Sequence, residues 1–318
     1  SPDGRAIAYL TEHSLRIARL RGGDRLLLTH PADIDLPRWS PDGAHIGIIS
    51  RSRGWGQVVL VPSSLRKPLT QVPPALTPVG VDVLSYDWNA SGRRIVYEGT
   101  HPGSDGNHVQ LAIIDLDSAE SPGIIAGRSS WVAGGRWVPD DRGIVAADDE
   151  SGYFHVVQLS DTGERREIAP ADADDVMAGG ETDDVPTPSP DGRLVAFLRF
   201  EPGSNSVQVR RIDDGSDPVG SGVEAHPGTW SSLSWLPDSR GLVALGQSES
   251  TPTDIWILPL EGSPTRVTQS GPLSLSLPDI TPQVMTISAR DGMTLAALLY
   301  LPANAKPGAR YPCLLYTS

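Results

Sequence analysis

The stretch Trp39-Ser40-Pro41-Asp42-Gly43-Ala44-His45-Ile46-Gly47-Ile48-Ile49 decides the fold. Proline pre-sets φ at the second position of a type I turn, aspartate bonds neighbouring backbone N–H groups, and glycine takes the left-handed conformation that follows. Such a turn joins two antiparallel strands. Here one strand ends in the large ring of Trp39 and the next begins at the apolar run Ile46 to Ile49.

The turn recurs. Ser1-Pro2-Asp3-Gly4 and Ser189-Pro190-Asp191-Gly192 are identical to it, and Asn89-Ala90-Ser91-Gly92, Val138-Pro139-Asp140-Asp141-Arg142-Gly143 and Leu236-Pro237-Asp238-Ser239-Arg240-Gly241 are looser copies. The starts at 1, 40, 89, 138, 189 and 236 are spaced by 39, 49, 49, 51 and 47 residues. That is the period of a four-stranded propeller blade, about 40 to 50 residues. Trp39, Trp88, Trp137 and Trp235 each stand one residue before the motif. A ring there can pack between neighbouring blades, where burial is worth about 2 to 3 kcal/mol.

After each turn an apolar strand is expected, at Ala6 to Tyr9, Ile46 to Ile49, Arg94 to Tyr97, Gly143 to Ala146, Leu194 to Phe197 and Leu242 to Leu245. A second follows at Leu15 to Ala18, Val58 to Val61, Leu111 to Ile114, Val156 to Leu159, Val207 to Arg210 and Ile255 to Leu258. Leu28-Thr29, Leu69-Thr70 and Val267-Thr268 are read as closing the outer strand of three blades. The fold class is therefore all-β, a propeller with six visible blades over 1–276. The first blade is incomplete, because the strand that should precede Ser1 is absent, and an open ring exposes a sheet edge.

Composition narrows the function. The 318 residues carry a formal net charge of −13 and no cluster of Lys and Arg, which argues against nucleic acid and anionic membrane surfaces as partners. No apolar run reaches the roughly 18 to 20 residues of a membrane span. Cys313 is the only cysteine, which excludes an internal disulfide and a zinc site with two thiolates. One cysteine does not set the compartment. The residues at the start lack the regions of a leader peptide, but Ser1 stands inside a motif rather than at a natural start, so the location is left unknown, with the cytoplasm favoured. Oligomeric state is left open.

The repeat stops near Ser276. Pro272, Pro278 and Pro282 punctuate a linker, and 277–318 is read as that linker and the start of a second domain. Val284 to Ser288, the turn Ala289-Arg290-Asp291-Gly292 and Thr294 to Leu301 form an expected hairpin, with a further strand at Tyr311 to Tyr316.

These residues carry a family resemblance. A propeller followed by Ile287-Ser288-Ala289-Arg290-Asp291-Gly292-Met293-Thr294-Leu295, Leu299-Tyr300-Leu301-Pro302 and Tyr311-Pro312 with Leu314-Leu315-Tyr316 resembles the prolyl oligopeptidase family of serine peptidases. Glu150 to Val156 is similar to the blade strands of its acylaminoacyl-peptidase and dipeptidyl-peptidase branches. The resemblance implies that Leu314 to Tyr316 begins an α/β-hydrolase domain whose Gly-x-Ser-x-Gly nucleophile, aspartate and histidine lie beyond Ser318. No serine in this chain passes the Gly-x-Ser-x-Gly test. No catalytic residue is assigned here, and the chain by itself is expected to be inactive. Short peptides would be the parent's substrates, and the absent hydrolase domain the propeller's partner. The propeller part alone is also similar to TolB, which leaves a non-enzymatic interaction module as the alternative. Cys313 to Ser318 further match what a transposon end used in sequencing libraries encodes in one reading frame, so 313–318 is read either as an adaptor scar or as a native strand.

Other constellations carry less. Asp172, Asp174, Asp175, Glu181, Asp183 and Asp184 offer carboxylates but at the spacing of no calcium loop, and read as a solvated connection between blades four and five. The seven histidines are scattered without a His-Glu-x-x-His pattern, so no metal or cofactor is expected. His101-Pro102-Gly103 and His226-Pro227-Gly228 read as turns, and His155 as a packed or rim residue. Glu150 could hold a substrate's ammonium group through a charge-assisted hydrogen bond, but the paired-glutamate motif is missing and it reads as a blade-rim acid.

Overall fold

The computed structural model describes residues 1–29, 33–100, 109–118, 121–127, 130–150, 152, 154–169, 185–201, 204–218, 228–248, 251–270, 283–292, 294–302, 304–306 and 308–312. The fold is all-β, and the described residues form six small antiparallel sheets in sequence order and a final hairpin.

The first sheet holds β1 (Ala6–Thr11), β2 (Ser14–Arg19) and β3 (Asp24–Thr29). The second holds β4 (Ile34–Trp39), β5 (His45–Ser50) and β6 (Gln57–Pro62). The third comprises β7 (Asp82–Trp88), β8 (Arg94–Thr100), β9 (Gln110–Asp115) and β10 (Gly123–Ala126). The fourth comprises β11 (Val132–Trp137), β12 (Ile144–Asp148), β13 (His155–Leu159) and β14 (Arg165–Ala169). The fifth has β15 (Thr187–Pro188), β16 (Leu194–Glu201) and β17 (Ser204–Arg211), and the sixth β18 (Thr229–Trp235), β19 (Gly241–Gln247), β20 (Asp254–Pro259) and β21 (Thr265–Arg266). The hairpin is β22 (Gln283–Ser288) with β23 (Thr294–Leu299). Every sheet runs in chain order, so each is a meander, the unit of a propeller blade.

The repeated turn forms for the reasons its residues supply. Gly43 N–H closes on the Ser40 carbonyl at 2.8 Å, with Gly43 at φ 70°, a left-handed conformation that favours glycine. Ser40 Oγ donates to Asp42 at 2.5 Å and accepts the His45 N–H at 2.9 Å, so one hydroxyl fixes both arms of the hairpin. Ser1 does the same for Ala6, and Ser189 for Leu194, each at 2.9 Å. Asn89 supplies the acceptor in the third blade, to Arg94 N–H at 2.8 Å. In the sixth blade the left-handed position falls on Ser239, φ 59°, rather than on a glycine.

Hydrophobic burial lies between blades. Leu15, Ile17 and Leu28 of the first pack with Ile34, Ile46 and Val59 of the second, and four further clusters of this kind join each blade to the next. Trp88, Trp137 and Trp235 are buried in three of these clusters and Trp39 packs against a fourth, each facing the preceding blade. The Arg94 guanidinium stacks 4.8 Å from the centre of the Trp137 ring.

One outer strand departs from expectation. Leu69-Thr70 does not close the second blade. Leu69 bridges Leu28 of the first blade, donating to the Leu27 carbonyl at 2.8 Å and accepting from Thr29 N–H at 3.0 Å. The second Leu-Thr pair, Leu76-Thr77, takes the expected place: Leu76 N–H donates to the Val58 carbonyl and Thr77 Oγ1 accepts the Val58 N–H. Pro68, Pro73, Pro74 and Pro78 lack N–H donors, so no regular fourth strand propagates along β6. The fifth blade likewise shows three described strands, whereas the third, fourth and sixth have four. In the terminal hairpin, β23 stops at Leu299, short of the Leu301 expected. Most of the strand expected at Tyr311 to Tyr316, and all of 313–318, lies outside the described residues, while Tyr311 and Pro312 are not in a strand.

Candidate functional site

The blades have two unlike ends. At one end the repeated turns pack against each other: Pro2 lies over Gly43, Pro41 over Gly92, Asp141 accepts from Asn89 Nδ2 and Ala90 N–H, and Ser239 Oγ accepts from Asp191 N–H. The turn serines Ser1, Ser40 and Ser189 there are committed within their own turns, each donating to the turn aspartate and accepting a backbone N–H. At the opposite end β5, β8, β12, β16 and β19 finish, and their antiparallel partners β6, β9, β13, β17 and β20 begin.

The chain also leaves the sixth blade at that opposite end, and Asp254 controls the exit. Its buried carboxylate accepts from Thr268 Oγ1 at 2.6 Å, Ser270 N–H at 2.9 Å and the Arg266 guanidinium at 2.8 Å through Nε. The Thr268 hydroxyl first, then Arg266 and Ser270, hold this carboxyl far below the usual carboxylate range against the opposing effect of burial. Thr268 Oγ1 also accepts the Ile255 N–H, as Thr77 does for Val58.

Glu150 and His155 stand at the same end, around Arg165. The guanidinium bridges Glu150 at 2.5 Å and Asp148 at 3.2 Å and touches His155 Nε2. His155 and Asp148 are buried, while the Glu150 side chain is 56% exposed. Asp149 accepts the Trp131 N–H, and Trp131 meets Phe154 edge-on at 6.4 Å. A guanidinium shared among two carboxylates and an imidazole is a clamp on the β12–β13 connection. It neutralises the charge that Glu150 would need to hold a substrate ammonium.

Two groups that the residue pattern did not single out lie deeper. Glu98 is buried on β8 and accepts from Ser85 Oγ at 2.9 Å and from Gly134 N–H of the next blade at 2.8 Å. Burial pushes its carboxyl up, opposed by those two donors and by the Arg136 charge. Tyr86 is fully buried and donates to the Leu36 carbonyl at 2.9 Å, and burial raises its phenol well above the usual range. Leu36, Gly134 and Ser232 each stand three residues before the blade tryptophan with positive φ, at a β-bulge in the first strand. Arg38 then approaches Asp87 of the next blade at 3.8 Å, and Asp87 accepts the Trp137 N–H of the blade after it.

Among the described residues no three His, Cys, Asp or Glu side chains are placed to hold a metal ion, and no helix is long and apolar enough to cross a membrane. The acidic run from Asp172 to Asp184, and His101 and His226, lie outside the described residues.

No family model matches the sequence, and no curated protein matches it significantly. Solved structures do match the fold. A Mycobacterium tuberculosis puromycin-hydrolyzing peptidase superposes with TM-score 0.75 at 13% identity, over 97% of this chain and 52% of that one. A prolyl endopeptidase gives 0.72 at 13% identity, over 96% and 46%. TolB from Acinetobacter baumannii gives 0.58 at 16% identity, over 85% and 65%. The chain thus spans about half the length of the peptidases it matches. At these identities the likeness establishes a propeller fold common to peptidases and TolB.

Proposed function

We propose that this chain is the propeller of a serine peptidase of the prolyl oligopeptidase family that hydrolyses short peptides. The observation that carries the reading is the hand-over after blade six. The chain is latched at Asp254, passes into a proline-rich stretch, and re-emerges as a hairpin unlike any blade. All of β22 is exposed, including Val284, Met285 and Ile287, and Leu295 and Leu298 of β23 are exposed as well. Val284 pairs with Leu298, and Ile287 with Leu295, on opposite faces of the ribbon. Strands apolar on both faces belong inside a sheet covered on both sides, as in an α/β domain. The likeness to whole peptidase chains over half their length points the same way.

In this reading the triad is supplied by an α/β-hydrolase domain encoded after Ser318, working by acyl transfer. The propeller covers that domain's catalytic face and admits only peptides small enough for the space between them. Expression of the whole reading frame tests this. Hydrolysis of short peptidyl anilides, abolished by a serine-directed phosphonate and absent from residues 1–318 alone, is the expected result. Turnover by residues 1–318 would overturn it.

The likeness to TolB supports a second reading, a non-enzymatic propeller that binds a protein on one face. It accounts for the blades equally well and leaves the two-faced hairpin unexplained.

A further inference from the structure

Blade one presents a sheet edge that its own residues do not protect. In the other blades β5, β8, β12, β16 and β19 each pair with the strand that enters the turn, whereas β1 pairs only with β2 among the described residues. The Leu20 N–H donates to the Arg5 carbonyl, which sets the alternation along β1 and turns the backbone groups of Ala6, Ala8 and Leu10 away from β2. Natural edges are blunted by charge, proline or a bulge. From Ala6 to Thr11 β1 has none of these, and its register with β2 is unbroken.

The side chains indicate what belongs on that edge. Ile46, Ile95, Ile144 and Leu242 hold the place in their blades that Ile7 holds in blade one, and all four are fully buried, each opposite the tryptophan that ends the strand before the turn. Ile7 is 54% exposed. In blade five Pro188 stands opposite Val195 in the tryptophan's place. Trp39, whose ring faces blade one, is half-buried where Trp88, Trp137 and Trp235 are buried.

The first rung of a further strand is already made. The Ser1 nitrogen donates to the Ala6 carbonyl at 2.7 Å, as Ser40 does to His45 at 2.9 Å and Ser189 to Leu194 at 2.8 Å just after β4 and β15. Burial lowers the pKa of the Ser1 amine, with Asp3 opposing, so a charge fits poorly where the other blades hold a neutral amide. We propose that the edge of β1 is an acceptor site for one antiparallel strand that leads directly into Ser1 and ends in an aromatic residue. That ring lies on Ile7, and the residue before it pairs with Ala8, as Arg38 pairs with Gly47 and Thr187 with Ala196. Continuity with the Ser1 nitrogen is what favours such a strand over the β1 edge of a second copy. The proposal concerns blade one alone and holds for a peptidase propeller and a binding module alike.

The test places Asp-Val-Leu-Ser-Tyr-Asp-Trp, the sequence of β7, directly before Ser1 of the 318-residue chain and follows amide hydrogen exchange. Exchange at Ala8 should slow by about tenfold or more relative to the unextended chain, in a monomer, because its N–H gains a strand partner. An extension ending in glycine should lose most of that protection, and a scrambled one should give none. Unchanged exchange at Ala8, equal protection from the glycine-ended or scrambled extension, or protection that appears only as the chain dimerises would each overturn the proposal. The source gene upstream of codon 1 gives a check that does not depend on folding. An aromatic residue directly before Ser1 is expected, and any other residue there overturns the proposal.

Discussion

The carboxylate of Glu98 in blade three accepts the backbone N–H of Gly134 in blade four at 2.8 Å, beneath the bulge that interrupts the first strand of that blade. The bond crosses a blade boundary, and its acceptor is a charge held in an apolar interior. Burial raises the Glu98 pKa above the ordinary 4.5, so the folded chain binds this proton more tightly than the unfolded chain. Its contribution to stability is therefore greatest below 4.5 and declines as pH climbs toward the native value. Glu98→Gln keeps an acceptor for both donors and removes the titration. In urea unfolding from pH 4 to 7, stability of the natural chain should fall relative to Glu98→Gln, and Glu98→Ala should cost about 1 to 3 kcal/mol by stranding the Gly134 and Ser85 donors.

Gly134 itself tolerates no side chain. Its φ is 68°, and an added Cβ would lie 2.2 Å from Val185 Cβ. Backbone strain and overpacking add here, so Gly134→Ala should cost at least about 2 kcal/mol by denaturant unfolding. Gly292→Ala, where nothing lies within 4 Å, is the comparison for strain without a clash.

Ser189 is an architectural serine. It is fully buried, donates to Asp191 at 2.6 Å and accepts the Leu194 N–H at 2.9 Å. Ser189→Ala leaves a buried N–H without its acceptor and should destabilise by about 1 to 3 kcal/mol. A fluorophosphonate probe should label neither Ser189 nor its counterparts Ser1 and Ser40.

Much of this architecture is legible in the residues, because its determinants are local. Ser40, Pro41, Asp42 and Gly43 carry their own turn, and Trp39, Trp88, Trp137 and Trp235 mark strand ends at the repeat spacing. Every expected first and second blade strand falls within or at the edge of an observed one. What was not legible depends on distant contacts. Leu69-Thr70 and Leu76-Thr77 are alike as text, and only the free edge of β3 in the neighbouring blade draws Leu69 away. Glu98 follows the expected strand Arg94 to Tyr97 with nothing in the pattern to single it out, and the Gly134 N–H that meets its buried carboxylate belongs to the next blade. Glu150 could be singled out as a rim acid, yet nothing near it in sequence announces that Arg165 neutralises it.

The Asp254 latch should respond to acid. Its pKa is held below the ordinary 3.8, so its contribution is present above that value and is lost as pH falls from there through the lower native value. Hydrogen-exchange protection at Val267 and Ser270, whose N–H groups donate to Ile255 and Asp254, taken relative to the intrinsic rate at each pH, should fall under acid. Asp254→Asn should lower it already at neutral pH while the β18–β19 amides stay protected. Unchanged exchange in that variant would mean that Asp254 does not hold the exit.

The most direct measurement is the reading frame itself past codon 318, determined from the source DNA. The expected result is a strand leading into His-Gly-Gly, then Gly-x-Ser-x-Gly, then an aspartate and a histidine in that order. A stop codon, or another blade opened by a Trp and a Ser-Pro-Asp-Gly turn, would contradict the peptidase reading and leave a binding propeller in its place.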